Sequence, residues 1–401
     1  NHCGMDSSGK SRVIFVDPNF RRSSPAMRSI VLALPFLEQA GIEVEAWAHQ
    51  VEPDAGVGRW HKFAFPRLPA PLNYWLFSFQ ATLYRLLVFP RRPRAERRRT
   101  VIISTGFYSW IADYTFIHFS NLDWFCRQRQ LGVGNLRDAL EWVRSLVSLG
   151  VDYLTANNPW SGGLCPVSRS VAADFQRLAQ YPKTIRVLPN ARNERGFSPA
   201  QRLENRPAAR SHHGFGSADA VFAMTAMGHL RRKGFYNAIR GLQELRKGSG
   251  RKDVRFLFIG GTAPVLAAVR DWLEQTIPDW KEWVRLTGMV DNVPFHLSAA
   301  DAFLFPSYSE AFSLAEIEAS SMGLRLYLTP HHGSEMILEP EMNGRLIPWE
   351  PDGIARILRE DLDAGRVKCH SGFVGQSHSL EEYGARLVDL VQTALAGRAP
   401  L

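Results

Sequence analysis

Short β-branched and aromatic runs alternate with helical periods along almost the whole chain, and few folds accommodate that alternation. In the first half the apolar runs are RVIFVD (Arg12 to Asp17), IEVEAWA (Ile42 to Ala48), TVIIS, YTFIHF and TIRVLP. Helical periods occupy residues 26–40 and the stretch from Leu136 to Gly150, which ends on a glycine stop. The second half repeats the pattern with AVFAMTAM, VRFLFIGG, WVRLTG, AFLFPS and RLYLTP. Such alternation predicts parallel sheets covered by helices on both faces. Residues 190–220, polar and rich in Gly, Pro and Arg, show no sustained period and read as a linker. The expected fold class is therefore α/β, with two doubly wound, Rossmann-like domains in tandem. A chain of 401 residues is long enough for a core in each. Sheets of this kind bind ligands beyond the carboxyl ends of their strands, so a cleft between two of them is the expected site.

Several function classes recede on sequence grounds. GMDSSGKS, residues 4–11, spells the phosphate-binding loop of nucleotide hydrolases. That loop needs a strand before it and a helix after it. Here three residues precede it and an apolar strand pattern follows, so the match is expected to be accidental; Met5 also reads as a natural start. No G-x-G-x-x-G occurs, which argues against a nicotinamide or flavin dehydrogenase. The four cysteines stand far apart with no metal-ligand spacing, as suits a reducing cytoplasm. No apolar run reaches the roughly 18 residues that span a bilayer, and no secretory signal is recognisable.

The net charge of +9 is unevenly spread. RRPRAERRR, Arg91 to Arg99, holds six arginines against one glutamate, directly after an aromatic, apolar stretch from Leu72 to Phe89. Two readings stand open: a core helix with a solvated basic loop, or an interfacial helix with a basic flank on anionic lipid. No nucleic-acid recognition motif accompanies the arginines.

FPSYSEAFSLAEIEASSMG, residues 305–323, carries the most chemistry. A strand ends at Pro306, a polar turn follows, and SLAE suggests a capping box between Ser313 and Glu316 with a helix from Leu314. At 100° per residue, Glu316 and Ser320 fall opposite the apolar arc, whereas Glu318 lies within it. A carboxylate there is costly to bury without partners. Either it forms a buried salt bridge or it accepts hydrogen bonds from ligand hydroxyls, while N–H groups around Phe312 to Ala315 attract a phosphate.

Glu310 and Glu318, eight apart, form an E-x7-E pair whose setting resembles the retaining glycosyltransferases of the GT-B fold, family four. TGMVDNVPFHLSAADAFLFPS before the pair, GSEMILEPEMNGRLIP after it, GHLRRKGF, and CPVSRSVAADF with IRVLPNARNERGFSP extend the resemblance over most of residues 150–350. The match thins over the first 150 residues, where PNFRRSSPAM replaces the family's glycine-rich turn, and His229 stands where an arginine is usual.

The resemblance implies an acceptor-binding domain over residues 1–198, a nucleotide-sugar domain over 199–380, and a helix from 381 to 401 returning to the first domain. It implies that Lys233, with Arg231 or Arg232, neutralises the diphosphate, and that Glu318 holds ribose hydroxyls. Glu310 would lie beside the transferred sugar, assisted by backbone N–H groups from Ala311, Phe312, Ser313 and Leu314. His118, just after a strand, would orient a sugar hydroxyl or serve only structurally. The expected co-substrate is a nucleotide-diphosphate sugar, with no cofactor, no essential metal and no nucleic acid. The expected acceptor is a glycan or lipid-linked molecule at the inner face of the cell membrane, in polysaccharide, lipopolysaccharide or glycolipid synthesis. The competing readings are another GT-B enzyme, such as a nucleotide-sugar epimerase, and a non-catalytic protein that binds membrane or nucleic acid.

Overall fold

The computed structural model describes residues 9–53, 55–64, 70–131, 136–192, 196–340, 342–367 and 378–398. Residues 4–8 of the phosphate-loop match lie outside these; Lys10 is exposed and the first strand begins directly after it. The chain divides into two compact units, one formed by Asn1–Ala191 with Ser377–Leu401, the other by Arg192–Gln376.

The first unit carries β1 (Ser11–Val16), α1 (Arg28–Gln39), β2 (Ile42–Ala48), β3 (Arg59–Lys62), α2 (Ala70–Leu87), α3 (Arg94–Arg98), β4 (Thr100–Thr105), β5 (Ala112–Ile117), α4 (Asn121–Leu131), α5 (Leu136–Ala156), β6 (Ser161–Pro166), α6 (Arg169–Leu178) and β7 (Thr184–Ile185). All seven strands are parallel, in the order β3-β2-β1-β4-β5-β6-β7. The apolar runs form strands because their β-branched and aromatic side chains are covered on both faces. Val13 and Phe15 point into one core and Ile14 and Val16 into the other. The C-terminal helix Leu380–Ala396 belongs to the first of these cores, with Tyr383, Leu387, Leu390 and Val391 buried among residues of β1, α1 and β2.

The second unit repeats the plan with α7 (Pro199–His213), β8 (Ala220–Ala226), α8 (Phe235–Ser249), β9 (Val254–Gly260), α9 (Ala263–Thr276), β10 (Val284–Leu286), α10 (Val293–Leu297), β11 (Ala302–Phe305), α11 (Leu314–Ser321), β12 (Arg325–Leu328), β13 (Gly344–Leu346) and α12 (Pro351–Asp363). Its six parallel strands run β10-β9-β8-β11-β12-β13. In both sheets the order reverses beside the first strand, which leaves a crevice where neighbouring loops diverge.

Three local expectations are corrected. The helix expected to stop at Gly150 continues through it to Ala156, because a glycine at an exposed mid-helix position costs only about 1 kcal/mol and the turn after it packs inward at Asp152, Thr155 and Ala156. TIRVLP yields a strand only at Thr184–Ile185. The segment read as a linker contains the fifteen-residue helix α7, opened by Ser198, whose hydroxyl accepts the Gln201 N–H, and by Pro199 at its first turn. Its inward row is not apolar but basic. Arg202, Arg206 and Arg210 recur every fourth residue and donate to the carbonyls of Ala299 and Ala300 and to Asp301. A hydrophobic period cannot register such a face.

Candidate functional site

The strand order of the second unit decides which loops meet. β8 and β11 are parallel neighbours, paired at Phe222–Ala302 and Ala223–Phe303, although 75 residues separate the end of one from the start of the other in sequence. The loops leaving their carboxyl ends, GHLRRKG and PSYSEAFS, therefore lie side by side at the point where the sheet order reverses. Glycines allow this contact and the approach of the loop after β12. A side chain at Gly234 (φ 74°) would place its Cβ 1.9 Å from the Pro306 carbonyl oxygen, and one at Gly333 (φ 84°) would come within 2.6 Å of the Ala311 oxygen. His229, with φ 55°, is the one non-glycine residue in the left-handed region among the described residues.

Across this contact Lys233 Nζ stands 2.9 Å from Glu310 Oε1, with side chains 17% and 11% exposed. The Ser307 hydroxyl donates to the same carboxylate oxygen at 3.2 Å, and Lys233 also lies over the Phe305 ring. Arg232 donates to the Ser309 carbonyl at 3.0 Å, while Tyr308 N–H donates to the Arg232 carbonyl. Burial alone raises Glu310, but Lys233, Arg232 and His331 outweigh it and hold the carboxyl down at about 2. Glu310 is therefore an anion fixed among cations. Arg231, the other candidate, is exposed. Tyr308 stacks on Trp349, and Asn237 donates to both the Tyr308 hydroxyl and the Trp349 carbonyl, which fixes the loop from outside.

α11 begins at Leu314 as the sequence indicates, but the capping box does not form: the Ser313 side chain makes no cap hydrogen bond. Glu316 turns inward instead. Its side chain is 0% exposed and pairs with His331 at 3.1 Å, also 0% exposed. The helix is covered on nearly every side, so the face opposite its apolar arc is interior too. Burial works against protonation of His331, yet Glu316 outweighs it and raises the imidazole to about 9. His331 Nδ1 meets the His332 carbonyl at 3.0 Å, which directs Nε2 at Glu316. His331 was not singled out in the sequence; the available signal was a histidine three residues beyond β12, at the sheet edge that carries Glu310. Glu318 lies on α11 and is 7% exposed. Ala311, Phe312 and Ser313 are buried at the N-terminal end of that helix, where backbone N–H groups and the helix dipole favour an anion.

The first unit has a crevice of its own at the matching point. A pocket of about 490 Å³ opens beyond the ends of β1, β4 and β5, between α2 and α5. Asp17, Thr105 and His118 form its floor, and Tyr74, Trp75, Phe107 and Tyr108 its aromatic wall. The Asp17 carboxylate accepts from the Thr105 hydroxyl and from Asn19 N–H at 2.7 Å, but burial prevails and pushes it up to about 7. Burial likewise raises Asp152 on α5 to about 7, against two hydrogen bonds from Asn121. His118 stands one residue past β5, held down at about 4 by burial, with neither ring nitrogen bonded among the described residues. A neutral imidazole aimed into a pocket with no protein partner is suited to a hydroxyl-bearing ligand.

The stretch from Leu72 to Phe89 forms α2 up to Leu87 and a short turn at Phe89, and it is only partly a core helix. Phe77 and Ala81 are buried, while Leu72, Phe79, Leu86 and Leu87 are each more than half exposed. The arginine run is not uniformly solvated either: Arg92 turns in to a bidentate pair with Glu45 at 2.6 and 2.8 Å. α5 exposes a second apolar row, Leu140, Val143, Val147 and Leu154. Among the described residues no helix is long and apolar enough to cross a membrane.

No curated protein sequence matches the chain. The family described as Glycosyl transferases group 1 matches residues 219–363, the stretch that contains Lys233, Glu310, Glu318 and His331. Among solved structures, WaaG, a glycosyltransferase involved in lipopolysaccharide biosynthesis, aligns with a TM-score of 0.65 at 15% identity, over 97% of this chain and 100% of its own. The sucrose-phosphate synthase of Thermosynechococcus elongatus aligns at 0.67 and 14% identity, over 97% of each chain. Anabaena HepE, solved in complex with UDP and glucose, aligns at 0.63 and 13% identity, over 96% of this chain and 98% of its own. The chain thus shares its fold with these GT-B glycosyltransferase structures, and its residues 219–363 resemble the glycosyl transferases group 1 family.

Proposed function

We propose that this protein is a glycosyltransferase that transfers a sugar from a nucleoside-diphosphate donor, with retention of anomeric configuration, to a lipid-linked acceptor. The observation that carries the donor half is the buried Lys233–Glu310 pair beside Arg232 at the N-terminal end of α11. Lys233 and Arg232 neutralise the diphosphate with the N–H groups of Ala311, Phe312, Ser313 and Leu314, a charge stabilisation worth several kcal/mol in a water-poor site. Glu318 accepts from ribose hydroxyls, and Glu310 lies beside the transferred sugar and keeps Lys233 in place. The acceptor oxygen bonds to the anomeric carbon on the face from which the diphosphate departs, and the departing phosphate oxygen takes the acceptor proton. No covalent glycosyl-enzyme and no metal enter this scheme. The UDP complexes of HepE make uracil the first base to test.

The acceptor half rests on the first unit's pocket. His118 orients a hydroxyl there, and α2 and α5, which both contribute to the pocket lining, each carry an exposed apolar row. That arrangement suits an acceptor whose polar head enters the pocket while its lipid stays in a bilayer, and the WaaG likeness points to lipopolysaccharide-type glycans. The exposed Arg91, Arg94, Arg98 and Arg99 add attraction to anionic lipid, about 1 kcal/mol each near the surface and screened by salt. The enzyme then works peripherally at the cytoplasmic face of the membrane.

Two measurements test the two halves separately. Thermal-shift screening against UDP-, GDP-, ADP- and dTDP-sugars, followed by radiolabelled transfer, tests the donor; a donor at 100 times its dissociation constant stabilises by about 2.7 kcal/mol. No shift with any of them overturns the donor reading. Vesicle co-sedimentation tests the membrane reading: binding needs anionic lipid and falls at high salt. A protein that stays in the supernatant with every lipid overturns it.

A further inference from the structure

Outside both crevices, the second unit gathers three histidines at one point. His212 and His213 are the last two residues of α7, and His296 lies on α10. His213 Nε2 and His296 Nδ1 are 3.0 Å apart, and one donor nitrogen from each of the three rings falls within 4.8 Å of the others. His212 meets both other rings edge to face and the His213 and His296 rings are tilted to each other, with centroids 4.9 to 5.6 Å apart. His213 is buried, His296 is half-buried and His212 is exposed.

We propose that His212, His213 and His296 form a binding site for one divalent transition-metal ion of the zinc, nickel or cobalt class. A tetrahedral ion bound at about 2.0–2.1 Å sets its ligand nitrogens roughly 3.3 Å apart, close to the present His213–His296 separation. His212, on the solvent side, closes the remaining gap by rotating its ring, and water fills the fourth position. Three imidazoles with no carboxylate favour such ions over magnesium or calcium, which require oxygen ligands. In the metal-free protein one of the two facing nitrogens of His213 and His296 carries the proton between them; when the ion takes its place, that proton moves through solvent to the other nitrogen of the same ring, so that both imidazoles bind as neutral ligands.

Two features of the surroundings bear on the site. It sits at the C-terminal end of a fifteen-residue helix, whose aligned carbonyls favour a cation. Arg285 opposes it, since its guanidinium donates to the His213 carbonyl at 3.0 Å. Bound there, the ion ties the end of α7 to α10, just before residues 299–301, which the arginine row of α7 holds on its other turns.

The proposal depends on no part of the donor or acceptor reading, and its test needs no activity assay. Untagged full-length protein, stripped with chelator, is titrated calorimetrically with ZnCl2 and NiCl2, and its visible spectrum is recorded with CoCl2. The expected result is one equivalent bound, a cobalt spectrum of nitrogen-ligand tetrahedral type, and affinity weakened about tenfold or more in both His212→Ala and His296→Gln. His212 is exposed, so its variant retains the fold and decides the question even if His296→Gln does not. The proposal is overturned if the wild type binds neither ion, or if stoichiometry and affinity are unchanged in His212→Ala.

Discussion

Lys233 and Glu310 lie 77 residues apart in the chain, and their charged atoms meet at 2.9 Å. The pair is mutually dependent. Glu310 is largely enclosed and stays ionised because Lys233, Arg232 and His331 surround it, and Lys233 is held over the Phe305 ring by that same carboxylate. The arrangement leaves Arg232 and Lys233 gathered beside a helix N-terminus, with one anion among them.

Lys233→Ala is expected to lower kcat/KM by about two to three orders of magnitude, as removal of a preorganised charge does. It also strands a buried carboxylate, so unfolding should become easier by roughly 3 kcal/mol. Steady-state kinetics and urea denaturation of the same sample check the two effects. The double variant Lys233→Ala/Glu310→Gln should recover much of the stability and none of the activity.

Glu318→Gln and Glu310→Gln should separate binding from chemistry. The first is expected to weaken donor affinity, because ribose contacts persist in ground and transition states alike; the second mainly slows turnover. Calorimetry with the donor on confirmed folded samples decides. Unchanged affinity in the Glu318 variant reverses the assignment.

The His331–Glu316 pair predicts a pH dependence of stability. The folded pKa of His331, about 9, is raised above the roughly 6.5 of an unfolded histidine. Its contribution is therefore complete below about pH 6.5 and is lost as pH rises through 9. Melting temperature should fall between pH 7 and 9.5, and His331→Gln should flatten that slope while lowering stability at pH 6.5. An unaltered slope in the variant counts against the pair.

Asp17 predicts the opposite kind of substitution. Burial raises it to about 7, from roughly 3.8 unfolded, so its favourable contribution below pH 4 disappears as pH rises through 7. Asp17→Asn keeps an acceptor for Asn19 N–H and avoids the buried charge. It should stabilise the protein by on the order of 2 kcal/mol at pH 8 and have little effect at pH 3.5, where Asp17 is largely neutral in the folded and the unfolded chain alike. Thermal melts at the two pH values test this.

Asp301 is the hub of α7's attachment: it receives Arg206 and Arg210 and accepts the Val221 N–H at 2.9 Å. Asp301→Asn should cost about 3 kcal/mol, because two guanidinium groups lose their countercharge in the interior. Denaturant unfolding measures it. A change below about 1 kcal/mol would mean that the backbone carbonyls suffice to hold the arginines.

The sequence by itself determined the alternation of strands and helices, the start of α11 at Leu314 and the loops that carry Lys233 and Glu310. Each follows from local signals: hydrophobic runs of strand length, a proline ending β11, a polar turn before a helix. Local signals failed where the interior is polar. α7 was hidden because arginines, not apolar side chains, face inward. Glu316 was assigned to the face opposite an apolar arc, although α11 is covered on nearly all sides. The exposed row of α2 left its core and interfacial readings equally open. Only the tertiary structure decided which distant residues meet, since strand order, not sequence distance, sets β8 beside β11 and gives Lys233 its carboxylate. It alone paired Glu316 with His331 and brought His296 to the end of α7. Burial and proximity to charge are properties of the assembled sheet and its helices, and they decide whether a carboxylate in this chain is held at about 2 or raised to about 7.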